Sequence, residues 1–262
     1  MNVGVRQIVA RVEHAETQLS RMTQLRKMST AELTAQFADP ETAAPWIETA
    51  AVCGIAEAQV QFGRMLLEGN GVAANQEAAL RWFLKAARMG NAEAQNMAGR
   101  CFELGWGCEA DWGKAAAWYH RAAASGLDWG EYNYANMLFD GRGVEQDQQV
   151  AVEYYQRAAR RGHAKAMNLL ARCMEEGWGT PRDGRGAAEW YRRSAEAGYF
   201  RAQFNHAIEL LSQGRATNAA IWLERAKTEA DGPLLELIDT LANKIQLVSS
   251  LEKAPSIGLP VR

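Results

Sequence analysis

The sequence predicts an all-α fold, a right-handed α/α solenoid in which helix-turn-helix repeats stack into a superhelix. Gly54, Gly90, Gly126, Gly162 and Gly198 follow one another at intervals of 36 residues. A Gly-x-Gly recurs in register as Gly69/Gly71, Gly105/Gly107, Gly141/Gly143 and Gly177/Gly179. An aromatic-rich pair also recurs, as Trp82–Phe83, Trp118–Tyr119, Tyr154–Tyr155 and Trp190–Tyr191, each followed by small residues such as Ala86–Ala87 and Ala122–Ala123. A unit of this size cannot bury its apolar face alone, so stability must be built between neighbouring repeats.

Composition narrows the function classes. With 262 residues, 48% hydrophobic and 23% charged, the chain has enough apolar material for a core and too few charges for disorder. Its 29 basic and 31 acidic side chains leave a net charge of −2, which argues against a nucleic-acid scaffold or an anionic membrane as partner. Arg6, Arg11, Glu13 and His14 interrupt any apolar leader near the start, and no run of 18 apolar residues occurs, so the expectation is a cytoplasmic protein without membrane insertion.

Each element then has its own justification. Residues 1–39 are expected to form N-terminal helices that cap the array. Val5, Ile8, Val12, Ala15, Leu19 and Met22 make a helical stripe. It suits either a cap over the first unit or a weak homodimer, the alternative being a monomer. Ser29, Thr30, Ala31 and Glu32 form a capping-box pattern leading towards Phe37. Residues 40–53 read as a partial repeat. Asp39–Pro40 serve as cap and first helical residue there, and Trp46, Ile47, Ala50 and Ala51 reproduce the second-helix pattern one period early.

Residues 54–230 hold five repeats. Small residues mark the first helix: Ala58, Ala94, Gly130, Ala166 and Ala202, then Gly63, Gly99, Ala135, Ala171 and Ala207. The Gly-x-Gly ends that helix, because glycine enters the left-handed region at little cost. Asn75, Asp111, Asp147 and Asp183 then cap the second helix. Its aromatic residues fill the space that the small residues open. In the fifth repeat the Gly-x-Gly gives way to Gln213–Gly214–Arg215, and Trp222–Leu223 arrive four residues early. Residues 231–250 form a capping helix opened by Gly232–Pro233, with Leu234, Leu237, Ile238, Leu241 and Ile245 on one side, and 251–262 are expected to be a flexible tail.

From Gly162-His-Ala-Lys-Ala through Gly177-Trp-Gly and Asp183 to Ala187-Ala-Glu-Trp-Tyr-Arg-Arg-Ser-Ala, the chain resembles a Sel-1-like repeat, a relative of the tetratricopeptide repeat. The resemblance covers about residues 40 to 230. It implies a non-enzymatic adaptor that holds other proteins together, in bacteria or in eukaryotic protein degradation, with no catalytic residues to carry over. It also suggests a second reading, an accessory subunit that stabilises or regulates a bacterial enzyme, for example in transport or iron-uptake metabolism. Some relatives pair cysteines in every repeat, a pattern that Cys53, Cys101, Cys108 and Cys173 do not follow. Free, helix-buried thiols are expected for Cys53, Cys101 and Cys173, which suits a reducing cytoplasm.

No catalytic, cofactor or metal site is expected. The Gly107-to-Lys114 stretch departs from a phosphate loop in spacing, and Ala115 stands where that loop needs a hydroxyl. His14, His120, His163 and His206 show no HxxxH or HExxH spacing. The candidate site is a row on the first helices, which line the concave wall of an α/α solenoid. Arg64, Arg100, Asn136 and Arg172 share one offset from the repeat glycines, with Ile208 in the fifth copy. Asn96, Tyr132, Asn168 and Phe204 share another one turn earlier, with Val60 in the first copy. Such a groove could grip the carboxylates and amides of a peptide segment of another protein. The same arginines could instead merely solvate an exposed face or pair with Glu68, Glu103 or Glu176. Trp106 and Trp178, in the middle of Gly-x-Gly, could be partner contacts or could fold back over the helices beside them, and Trp112 and Trp129 carry the same two readings.

Overall fold

The computed structural model describes residues 37–252 together with 16, 17, 20, 21, 23, 24, 27, 28 and 32. The N-terminal stripe from Val5 to Met22, most of the capping box and the tail beyond 252 lie outside the described residues. From Pro40 onward the described chain is an all-α helical repeat. Its helices are α1 (Pro40–Val52), α2 (Ala56–Glu68), α3 (Gln76–Arg88), α4 (Ala92–Leu104), α5 (Trp112–Ala124), α6 (Asp128–Asp140), α7 (Gln148–Arg160), α8 (Ala164–Glu176), α9 (Gly184–Glu196), α10 (Phe200–Ser212), α11 (Ala216–Lys227) and α12 (Gly232–Glu252). The last helix thus extends two residues into the segment expected to be tail.

Side-chain caps start the second helices. Asp39, Asn75, Asp111, Asp147 and Asp183 each accept a hydrogen bond from the backbone N–H three residues on, at 2.9–3.0 Å. Two first helices have caps that the sequence pattern did not reveal: Asn91 accepts from Ala94 N at 2.9 Å, and His163 Nδ1 accepts from Ala166 N at 3.1 Å. The second glycine of the Gly-x-Gly performs the closest docking. A Cβ on Gly107 would lie 2.3 Å from the Gln76 carbonyl oxygen, so the turn of one repeat rests directly on the start of the previous repeat's second helix. With φ at +74° as well, this position admits glycine alone without strain.

The chain divides into two compact units, Met1–Met137 with Gly141–Glu145 and Leu138–Asp140 with Gln146–Arg262. In the first, α1 to α5 pack in sequence, each on the next; in the second, α7 to α12 do the same. The second member of each aromatic pair is the core residue: Phe83, Tyr119, Tyr155 and Tyr191 are buried. Full burial of such a ring contributes about 1.5–3 kcal/mol. Gly63 and Gly99 make room for these rings, since a Cβ on either would fall 2.6 Å from Phe83 or Tyr119.

The first member of each pair stays half-buried under a cation from the next turn. Lys85, Arg121, Arg157 and Arg193 lie 4.5–5.0 Å from the rings of Trp82, Trp118, Tyr154 and Trp190. A glutamine joins successive repeats: Gln59, Gln95 and Gln203 donate to the carbonyls of Ala51, Ala87 and Ala195 at 3.0, 3.3 and 3.4 Å, near the end of the preceding helix. These carbonyls belong to the last turn, where each also accepts from the glycine N–H three residues on.

Two expectations need correction. Cys53 is exposed, as the C-cap of α1 just beyond its last helical residue; Cys101 and Cys173 are buried, and all four cysteines are free. On α12, Ile238 is fully buried with Leu234, Leu241 and Ile245 packed around it, but Leu237 lies on the exposed flank. The apolar stripe of α12 is therefore narrower than the sequence pattern suggests.

Candidate protein-binding surface

The row of arginines on the first helices separates into two kinds. Arg64, on α2, forms an ion pair with Glu93 at the start of α4, which neutralises it. Arg100 on α4 and Arg172 on α8 have no such partner among the described residues. Instead each guanidinium lies 5.0 Å from the ring centroid of an indole, Arg100 over Trp106 and Arg172 over Trp178. The tryptophans are half-buried, Trp106 against the core of the first unit and Trp178 with its centroid 5.7 Å from that of Phe139. The turn tryptophans therefore do fold back, and in doing so they form the floor beneath the arginines. Two candidate surfaces become one.

Two of the acids that might have neutralised these arginines, Glu103 and Glu176, are engaged elsewhere, whereas Glu68 shares a pocket with Arg64, Arg100 and Trp106 without pairing to Arg100. Glu103 accepts from the Tyr119 phenol at 2.6 Å and from Arg142 at 3.4 Å. Glu176 pairs with Arg182 at 3.6 Å. A stacked cation without a counter-ion has its charge oriented in advance of any ligand.

Asn96 and Asn168 are each buried beside these stacks and accept from a neighbouring first helix: Asn133 Nδ2 donates to Asn96 Oδ1 at 2.8 Å, and Asn205 Nδ2 donates to Asn168 Oδ1 at 3.0 Å. The two units repeat this arrangement two repeat lengths apart, down to the Tyr119–Glu103 bond, which returns as Tyr191–Glu175 at 2.9 Å. Burial, then the glutamate bond, pushes both phenols well above the usual tyrosine range.

The remaining members of the row are more varied. Tyr132 meets Trp129 edge-on at 6.1 Å, and Asn136 is half-buried. Phe204 packs against the last core cluster, Val60 is buried and Ile208 is exposed. Trp112 and Trp129 are each about half exposed, and Arg142 lies 6.0 Å from the Trp112 ring. Sequence comparison passed over Arg201, which stands one turn before Phe204, and Leu234, which the turn into α12 brings to the same face.

The described residues show no group of three or more His, Cys, Asp or Glu able to hold a metal ion, and no helix long and apolar enough to cross a membrane. Burial raises the Cys101 thiol to about 12 and Cys173 to about 11, which keeps them protonated and unreactive.

The Sel1 repeat family model matches residues 56–91, 92–127, 130–163 and 164–199, more than half of the chain. A Sel1 repeat protein from Oxalobacter formigenes is 30% identical over 74% of this chain and 80% of its own, with a TM-score of 0.67. The chain belongs to the Sel1 repeat family. Two further solved structures share the fold. One is c5321, a protective antigen of uropathogenic Escherichia coli with an SLR fold, at 23% identity and a TM-score of 0.68; the alignment covers 95% of this chain and 56% of that one. The other is a Sel1 repeat protein from Klebsiella pneumoniae, at 20% identity and 0.51, covering 79% of this chain and 100% of that one. No curated protein matches the chain. The four Sel1 repeats span α2 to α9. The fifth hairpin, α10–α11, lies outside the matched residues and lacks the Gly-x-Gly. Sel1 repeats generally mediate protein–protein interaction.

Proposed function

We propose that this Sel1 repeat protein is a non-enzymatic adaptor that binds a segment of a partner protein along the face of its first helices. The observation that carries the reading is the pair of uncompensated arginines, Arg100 and Arg172, each held on an indole beside a buried asparagine. Arginine on an aromatic floor suits carboxylates and peptide groups, and Trp and Arg dominate interface hot spots. Four free cysteines, two of them buried, support a reducing cytoplasm as its compartment.

The test is affinity capture from the native cell, with wild type and Arg100→Glu/Arg172→Glu side by side. The double variant should lose the partner while its helical content and melting temperature stay near wild type, since both side chains are exposed. Unchanged capture removes this face from consideration. Recovery of a single enzyme in fixed stoichiometry would assign the accessory-subunit role.

A further inference from the structure

We infer that the cleft bounded by α8, α10 and α12 in the second unit is a subsite for an acidic side chain flanked by a large apolar one. The inference rests on the reading of the first-helix face as the partner-binding surface. The cleft, of about 320 Å³, is lined by Asn168, Arg172, Arg201, Phe204 and Leu234, together with Glu175 and Tyr191. That volume lies at the small end of ligand sites.

Charge favours an anion. Neither Arg172 nor Arg201 has a carboxylate within ion-pairing distance among the described residues, and both are steadied by rings, Arg172 on Trp178 at 5.0 Å and Arg201 on Phe200 at 5.3 Å. The single acid of the lining, Glu175, accepts from the Tyr191 phenol at 2.9 Å and keeps its charge, so the two arginines leave the cleft with one net positive charge.

Asn168 gives an independent sign. Only 8% of it is exposed, and its Oδ1 is occupied by Asn205. Among the described residues its Nδ2 has no hydrogen-bond partner, and the residue lines the cleft. This amide nitrogen is not among the buried atoms left without a partner, so it reaches the solvent of the cleft and is free to donate to a ligand carbonyl. The apolar wall comes from Phe204 and from Leu234, which Gly232–Pro233 places in the first turn of α12. The capping helix therefore closes the array and also completes the subsite.

The first unit does not duplicate this chemistry. Two repeat lengths before Arg201 stands Trp129, so a second cation is missing there. Paired-arginine recognition of an acid belongs to the second unit.

The experiment is calorimetric titration of the full chain with an acetylated, amidated hexapeptide carrying a central Glu-Phe pair. Two companion peptides replace the Glu by Gln, one of them ending in a free α-carboxylate. The Glu peptide should bind, and the amidated Gln peptide should bind at least about tenfold more weakly, equivalent to about 1.4 kcal/mol. Arg172→Gln, Arg201→Gln and Leu234→Asp should each weaken the Glu peptide, while Arg121→Gln, on a second helix of the first unit, should leave it unchanged.

Equal binding of the Glu and Gln peptides, absence of binding, binding of the free α-carboxylate peptide alone, or full affinity in Arg201→Gln would each overturn the subsite. If the subsite fails but Arg100→Glu/Arg172→Glu still abolishes partner capture, the broader adaptor reading stands. If peptide binding follows expectation while capture is untouched by that double variant, the adaptor reading through this face fails.

Discussion

The Arg172 guanidinium rests 5.0 Å from the centroid of the Trp178 ring, six residues further along the chain and beyond the end of the helix that carries the arginine. The same pair recurs as Arg100 on Trp106. A helix positions Arg172, and a turn held by two glycines positions Trp178, so their meeting depends on how α8 ends. Gly177 ends it in the left-handed conformation, which sends Trp178 back beside the helix.

Removing the floor should loosen the cation. Trp178→Leu keeps apolar bulk but loses the ring face, and cation–π stacking is worth about 0.5–2 kcal/mol. Binding of the Glu-Phe hexapeptide should weaken several-fold with little change in melting temperature. Full affinity in this variant, read by titration, would show that Arg172 needs no stacking.

Glycines within the helices differ in what they tolerate. Gly99→Ala would set a Cβ 2.6 Å from the buried Tyr119 ring and should destabilise by about 1–3 kcal/mol through overpacking. Gly184→Ala is the contrasting change: nothing lies within 4 Å of its Cβ position, and it begins α9. There the expected change is stabilising by about 0.4–1 kcal/mol, through reduced entropy of the unfolded chain. Urea unfolding of both variants reads the sign directly.

Alkaline pH should unfold the wild type partly through its buried phenols. Tyr119 is protonated in the fold, its ionisation raised by burial and by Glu103, whereas the unfolded side chain ionises near 10.0. Above that value the unfolded state holds fewer protons than the native one, so stability is fully present below it and declines as pH rises. Tyr119→Phe should be less stable at pH 8 but should lose less on going from pH 9.5 to 11.5, measured by denaturant midpoints. Parallel slopes for the two proteins would contradict this.

Thiol chemistry should report burial in order. Cys53 is exposed and Cys108 partly so, while burial pushes Cys101 to about 12 and Cys173 to about 11. An aromatic disulfide reagent should titrate Cys53 first and Cys108 next. Cys101 and Cys173 should react only at the rate of opening, and fast modification of all four in native buffer would refute their burial.

Much of the repeat was legible in one dimension. The starts of the second helices follow from Asp or Asn at fixed offsets, the ends of the first helices from Gly-x-Gly, and the core from the second member of each aromatic pair, because caps and glycine conformations are set by residues within one turn of each other. Cys53 and Leu237 were misplaced for a related reason. Both sit at the edge of an apolar pattern, where one helical step of about 100° separates core from solvent.

The binding face was legible only as a row of residue types. Arg64 and Arg100 occupy equivalent positions, yet Glu93 neutralises the first, while Glu103, the nearest candidate for the second, is held by Tyr119 and Arg142. The sequence by itself determined where the second helices begin, where the first helices of four repeats end and which side chains fill the gaps between repeats, since those choices are local and recur every 36 residues. Only the tertiary structure decided which arginines keep a free charge and that Leu234 joins them, because ion pairing and cleft lining depend on atoms brought together from distant turns of the chain.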